Sequence, residues 1–144
     1  GINFRHRLVP YLYHTACQSH QSGIPMIRPL VMEYPKDPIA KIQNLSYMLG
    51  DALLISPGFD RDEYELYLPE GRWQDIESKE VYEGMTFVHI ENKAFADGGT
   101  SLRVFQKEGT SIPLFAQKEV LHVPAQLWKQ EDLEFMTFQK KDVD

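Results

Sequence analysis

Cysteine is nearly absent from this chain of 144 residues, where Cys17 stands alone. One thiol excludes an internal disulfide framework and fits a reducing compartment, so a cytoplasmic location is expected. Long apolar runs are missing as well. The longest are of the size of Ala52 to Ile55, far short of the ~20 residues that cross a bilayer. No signal peptide is visible, although Gly1 is not a natural start. The 15 Lys and Arg are outnumbered by 21 Asp and Glu, for a net charge of −6, and the basic residues are scattered. That distribution excludes an electrostatic footprint for nucleic acid or an anionic membrane. The common catalytic signatures, GxSxG, P-loop, HExxH and CxxC, do not occur. Neither an internal repeat nor a low-complexity segment is evident, and no residue set calls for a cofactor.

Against these absences stand 42% hydrophobic and 12% aromatic residues, enough for a packed core in one domain, or one domain and a piece of another. Ile2 to about Ser22 reads as a helix of about 30 Å, with Phe4, Leu8, Leu12 and Ala16 at four-residue spacing and Val9 and Tyr11 beside them. Pro10 should kink it or mark its first turn, and Gly23 is a natural stop. The helix has few visible partners here, and a lone helix of this length is marginal in water.

After Gly23 the period changes. Ile24 to Tyr34, punctuated by Pro25 and Pro29, reads as extended chain or an edge strand. Lys36-Asp37-Pro38 is a turn signal; Ile39 to Leu49 is ambiguous, with a short helix around Asn44 to Leu49 as one reading. Ala52 to Ser56 reads as a buried strand closed by Pro57-Gly58. Short strands follow at Tyr64–Leu68, Arg72–Ile76, Lys79–Tyr82, Met85–Ile90, Leu102–Phe105, Ser111–Phe115, Val120–Val123 and Asp132–Phe138. The expected fold is therefore mainly β, a small antiparallel β-sandwich preceded by one long N-terminal helix.

Few residues invite a chemical reading. His14, Cys17 and His20 are three apart on the helix, which could place metal ligands on one face; polar residues on an exposed or domain-facing helix are the plainer account. Asp51 could be a general acid, base or sugar ligand, against the plainer reading of a turn-capping carboxylate. Arg28 and Glu33, five apart on extended chain, should point to opposite faces and find salt-bridge partners elsewhere. Trp73, Tyr82 and Trp128 could stack on sugar rings, though a strand tryptophan such as Trp73 belongs more naturally to a core.

Five motifs occur in order. Arg5-His6-Arg7-Leu8-Val9-Pro10-Tyr11-Leu12-Tyr13 is followed by Gly23 to Leu30 with Glu33-Tyr34-Pro35 and Asp37. Tyr47 to Pro57, Tyr67 to Asp75 and Gly109 to Pro113 complete the set. Together, over about Arg5 to Pro113, they resemble the C-terminal part of glycoside hydrolase family 31 enzymes of the α-glucosidase or α-xylosidase type. Lys107 stands where the family usually has arginine, and Arg103 where proline is common.

The resemblance implies a retaining α-glycosidase on a (β/α)₈ barrel, with a nucleophile and a general acid/base aspartate about 5–5.5 Å apart. It also implies that both aspartates and the pocket histidine lie upstream of Arg5, so that this chain carries no catalytic, substrate-binding, cofactor or metal residue. Residues 1–23 would then be the last barrel helix, 24–124 the proximal β-sandwich domain, and 125–144 the start of a distal β domain. The expected partners are the missing barrel and the other domains, with sugar bound through the whole enzyme. A carbohydrate-binding module and a self-associating scaffold, dimerising through the uncovered helix face, are the rival readings.

Overall fold

A computed structural model describes residues 7–43, 45–57, 63–91, 102–116 and 125–140. The chain divides into two compact units, one of residues 1–26 with 109–139, the other of residues 27–108 with 140–144.

In the first unit, helix α1 runs Val9–Ser22, with Leu8 at its N-cap. Pro10 lies in the first turn, where a missing N–H costs nothing, and it has no donor with which to continue a helix from upstream. Pro10 thus marks the first turn of the helix, one of the two roles expected for it, and Ile2 to His6 lie outside the described residues. Gly23 adopts φ 78° and donates its N–H to the Ser19 carbonyl, closing the C-terminus.

The buried face of α1 differs from the expected stripe. Leu8, Tyr11 and Thr15 are buried, Leu12 is half-buried and Ala16 is exposed. The broad ring of Tyr11 takes the inward position, which turns Ala16 outward; Phe4 lies outside the described residues. The helix has a partner in this chain after all. It packs against strand β9, Thr110–Phe115, which pairs in antiparallel register with β10, Leu133–Phe138. The last strand thus turns back onto the chain that precedes it. Arg7 ties the junction, donating from Nε to the Phe115 carbonyl at 2.8 Å and ion-pairing with Glu134. Trp128 meets Tyr13 and Phe115 edge-on, at 5.5 and 5.0 Å between ring centroids.

The second unit is a β-sandwich. Its larger sheet holds six strands in the order β1-β2-β3-β8-β5-β6: β1 Ile27–Pro29, β2 Tyr47–Leu49, β3 Leu53–Pro57, β8 Leu102–Lys107, β5 Arg72–Asp75 and β6 Val81–Glu83. A ribbon of β4, Glu63–Leu68, and β7, Thr86–Glu91, faces it. All described pairings are antiparallel. Leu54, Trp73 and Phe105 from the sheet interlock with Tyr64, Leu66, Leu68 and Ile90 from the ribbon to form the core. The alternation of β4 explains this layer: Tyr64, Leu66 and Leu68 face inward, while Glu63 and Glu65 face water.

Two local expectations change here. Of Ile24–Tyr34, only Ile27–Pro29 is a strand, at the sheet edge where a residue without an N–H is tolerated. Leu30–Glu33 then winds into a helical turn, α2, with Pro29 at its N-cap. The short helix, one reading of 44–49, lies earlier, as α3, Pro38–Ile42. Asp37 caps it by accepting from the Ile39 and Ala40 N–H groups, and Pro38 supplies a preset first turn. Tyr47–Leu49 is strand β2 instead. The strand expected at Val120–Val123 falls outside the described residues. Among these residues, no helix is long and apolar enough to cross a membrane.

Glycine is needed at one close approach. A Cβ on Gly84 would lie 1.9 Å from the Pro69 carbonyl oxygen. The same carbonyl accepts the Trp73 indole N–H at 2.9 Å, so the turn cannot move aside without disturbing the core. Gly84→Ala should therefore destabilise the unit by about 3 kcal/mol, and Phe105→Ala, which empties the sandwich centre, by about 4 kcal/mol. Urea unfolding curves check both, and a Gly84→Ala midpoint equal to wild type would refute the steric account.

Candidate functional site

The densest polar constellation centres on Arg28. Its side chain is 7% exposed, and Nη1 donates to Glu33 Oε1 at 2.7 Å and to Asp51 Oδ1 at 2.6 Å. Three pieces of chain meet there: edge strand β1, the end of α2, and the turn that joins β2 to β3. The expected divergence of Arg28 and Glu33 is overturned. The helical turn after Pro29 swings Glu33 back toward Arg28, which extended chain could not do. Asp51 sits in a turn, as the plainer account had it, yet its partner is a guanidinium from another strand. Burial works against the Arg28 charge, but Asp51 and Glu33 outweigh it, and the pKa is raised above its usual value. Two carboxylates accepting from one nitrogen make a clamp. A glycosidase pair needs one carboxyl with a proton to give and one free to attack.

A second carboxylate, Asp37, both caps α3 and accepts the Tyr67 hydroxyl at 2.6 Å. Burial opposes its charge, but the Tyr67 hydroxyl and the two backbone donors hold its pKa below the usual value. On the partner side, burial and the Asp37 carboxylate push the Tyr67 phenol up to about 12. In a third link, buried Asp75 accepts from the Glu77 and Ser78 N–H groups and from Arg103 Nη1 at 2.9 Å. Arg103, at a position where proline is common in the family pattern, thus has a local use. So has Lys107, whose Nζ lies 5.6 Å from the centre of the Tyr34 ring.

The remaining candidates separate. His14, Cys17 and His20 are all exposed on α1 and do not form a group with metal-ligand spacing. Trp73 has no exposed surface, so its ring is closed to sugars. Trp128 is half-buried between Tyr13 and Phe115, and Tyr82 lies edge-on to Phe105 with its hydroxyl on Glu80.

Sequence reading missed one cluster. Glu63, His89 and Glu91 place ligand atoms within 4.8 Å of one another on the outer face of the β4–β7 ribbon. Register creates it, with Glu63 opposite Glu91 and Glu65 opposite His89; no linear spacing announces it. A divalent ion would fit the donor set, but both imidazole nitrogens already engage carboxylates, Glu65 at 2.7 Å and Glu63 at 3.1 Å. The Glu65 hydrogen bond, helped by Glu63, raises the His89 pKa above its usual value.

The sign of the His89 effect follows. A raised folded pKa stabilises the fold below the unfolded value, and the gain is lost as pH rises through the folded value. An NMR titration should place the His89 midpoint above 6.5, and Glu65→Gln should lower it; a midpoint unmoved by Glu65→Gln would refute the pairing. For Asp37 the sign is reversed. Its contribution is present above the unfolded carboxylate pKa and disappears as pH falls through the lower folded one. Arg28→Met should leave Glu33 and Asp51 without their shared donor and cost about 2 kcal/mol, read as a lower urea midpoint.

Comparison with known proteins agrees with this architecture. The description "Glycosyl hydrolase family 31 C-terminal domain" fits residues 23–119. Neutral alpha-glucosidase AB of Homo sapiens is 35% identical over 117 residues, covering 78% of this chain and 12% of that protein. An alpha-glucosidase of Saccharolobus solfataricus is 28% identical over 123 residues, covering 84% and 16%. Among solved structures, a cycloalternan-forming enzyme from Listeria monocytogenes, in complex with a pentasaccharide substrate, matches with a TM-score of 0.79 at 31% identity, covering 95% of this chain and 13% of the enzyme. This chain therefore spans a small part of the relatives it matches. The order of its motifs, the antiparallel sandwich and the family match over residues 23–119 agree, and the chain belongs to the glycosyl hydrolase family 31 C-terminal domain family.

Proposed function

We propose that this chain is the non-catalytic C-terminal portion of a retaining α-glycosidase acting on α-glucosides or α-xylosides, and that it supports the catalytic barrel. The observation that carries this reading is the share of the relatives covered. The match to neutral alpha-glucosidase AB occupies 12% of that protein, and the family's C-terminal domain description fits residues 23–119 of this chain. The Arg28 clamp supports it, since the carboxylates of the main polar constellation hold strands and turns together. The partners are then the barrel and other domains of the parent enzyme, and sugar reaches the assembly through the parent.

The carbohydrate-module alternative has lost its main platform, because Trp73 is fully buried. Maltose or xylo-oligosaccharides should leave tryptophan fluorescence unchanged. The isolated chain should hydrolyse no aryl α-glucoside or α-xyloside. Turnover that follows this polypeptide through purification would sink the proposal, as would an upstream reading frame that encodes no barrel with the nucleophile motif.

A further inference from the structure

The outer face of the β4–β7 ribbon gathers Glu63, Glu65, His89 and Glu91 from two strands. Register sets Glu63 directly opposite Glu91, and like charges in that position are destabilising. Among the described residues, no lysine or arginine ion-pairs with any of the three carboxylates. Arg103 comes near, but it gives Nη2 to the Glu91 carbonyl at 2.7 Å and Nη1 to Asp75. The imidazole of His89 meets them instead, and its two nitrogens differ. Nδ1 sits 2.7 Å from Glu65, and this shorter contact assigns the ring proton to Nδ1. A neutral ring then turns the Nε2 lone pair toward Glu63 Oε2 at 3.1 Å, two electron-rich atoms with nothing positive between them. That arrangement calls for a cation, either a second proton or a metal ion.

The geometry favours the metal. A proton on Nε2 answers Glu63 and leaves Glu91 without a cation among the described residues, whereas the ligand atoms of Glu63, His89 and Glu91 all lie within 4.8 Å of one another. Around a tetrahedral zinc ion with bonds of about 2.0–2.1 Å, ligand atoms stand about 3.3 Å apart. The 3.1 Å between Nε2 and Glu63 is close to that edge, and rotation of the exposed Glu91 side chain brings in the third ligand. Glu65 adds what a simple acidic patch lacks. A metal-bound imidazole gives its other N–H to a carboxylate, which fixes both the ring and its tautomer. Magnesium and calcium take oxygen ligands, so the imidazole selects a transition ion over them.

We propose that Glu63, His89 and Glu91 form a zinc site on the outer face of the ribbon, with Glu65 orienting the imidazole and water in the fourth position. Glu63 opens β4 and Glu91 closes β7, so the ion clasps the ribbon at its end. The family resemblance implies no metal ligand in this chain, and the site does not depend on what the parent enzyme hydrolyses.

Zinc titration of the chelator-stripped 144-residue chain, followed through the ring nitrogen signals of its histidines, tests this. One ion per chain should bind and move the His89 Nε2 signal. His89→Gln and Glu63→Gln should each weaken binding more than about tenfold, and Glu65→Gln, which removes a positioning residue, by about tenfold. Zinc should raise the thermal midpoint of the wild type and not that of His89→Gln. Magnesium or calcium at the same concentration should leave the ring signals in place. All four side chains are exposed, so the substitutions spare the core, and the wild-type signal is read without any substitution. Zinc that moves the rings of His14 and His20 while His89 stays put would assign binding to α1 and overturn the site. Undiminished binding by Glu63→Gln, or an equal response of His89 to calcium, would overturn it as well.

Discussion

Burial of β3 on both faces is the constraint from which the sandwich unit is built. Leu54 and Ser56 look into the layer against the β4–β7 ribbon, where the Ser56 and Tyr64 hydroxyls bond at 2.9 Å. Leu53 and Ile55 point the other way and are equally buried. A strand covered on both sides must be interior to its sheet, since an edge would leave one row of its backbone groups unpaired. The chain satisfies this by bringing β8, some fifty residues later, alongside it, with Leu54 opposite Phe105 and Ile55 opposite Val104. That pairing separates β3 from β5 and so requires the nonsequential order of the six strands.

Polar side chains close the places where the apolar layers stop. Arg28 gathers the edge strand, α2 and the β2–β3 turn. Asp37 joins α3 to β4 through Tyr67, and Asp75 joins the end of β5 to β8 through Arg103. Arg28, Asp37 and Asp75 each meet opposite charges or several hydrogen-bond donors, which is the condition for keeping a charge inside. These links have the character of joinery. Apart from Arg103, the same residues sit in the segments that make the family pattern recognisable, so those motif positions have structural uses in the sandwich.

Much of this was legible from local pattern. β4 alternates cleanly, Ala52–Ser56 is uniformly apolar or small, and the Pro69–Gly71 turn falls where the strands need it. The misplaced pieces share a cause. Leu30–Glu33 and Pro38–Ile42 are single helical turns, too short to show a period, and only their proline and Asp37 signals mark them. Five residues of extended chain would separate Arg28 from Glu33, whereas one helical turn brings them together. Four-residue spacing marks one face of α1 as apolar, yet the side that is buried carries Leu8, Tyr11 and Thr15. His89 and its three glutamates come from two strands, and no linear motif can announce a pairing that depends on register.

Composition and motif order alone determined that this chain forms an antiparallel β-rich domain of family 31, because alternation, turn residues and ordered motifs are local properties of the polypeptide. Tertiary structure decided which charges meet. Arg28 with Asp51, Tyr67 with Asp37 and His89 with Glu65 are separated by more than twenty residues each. Their partners depend on sheet order and register, which are settled by the burial of large side chains such as Trp73 and Phe105 in one shared layer. It also decided that Ile27 and Ile42, unremarkable in the sequence, stand in the lining of one groove, since only the fold brings edge strand and α3 side by side.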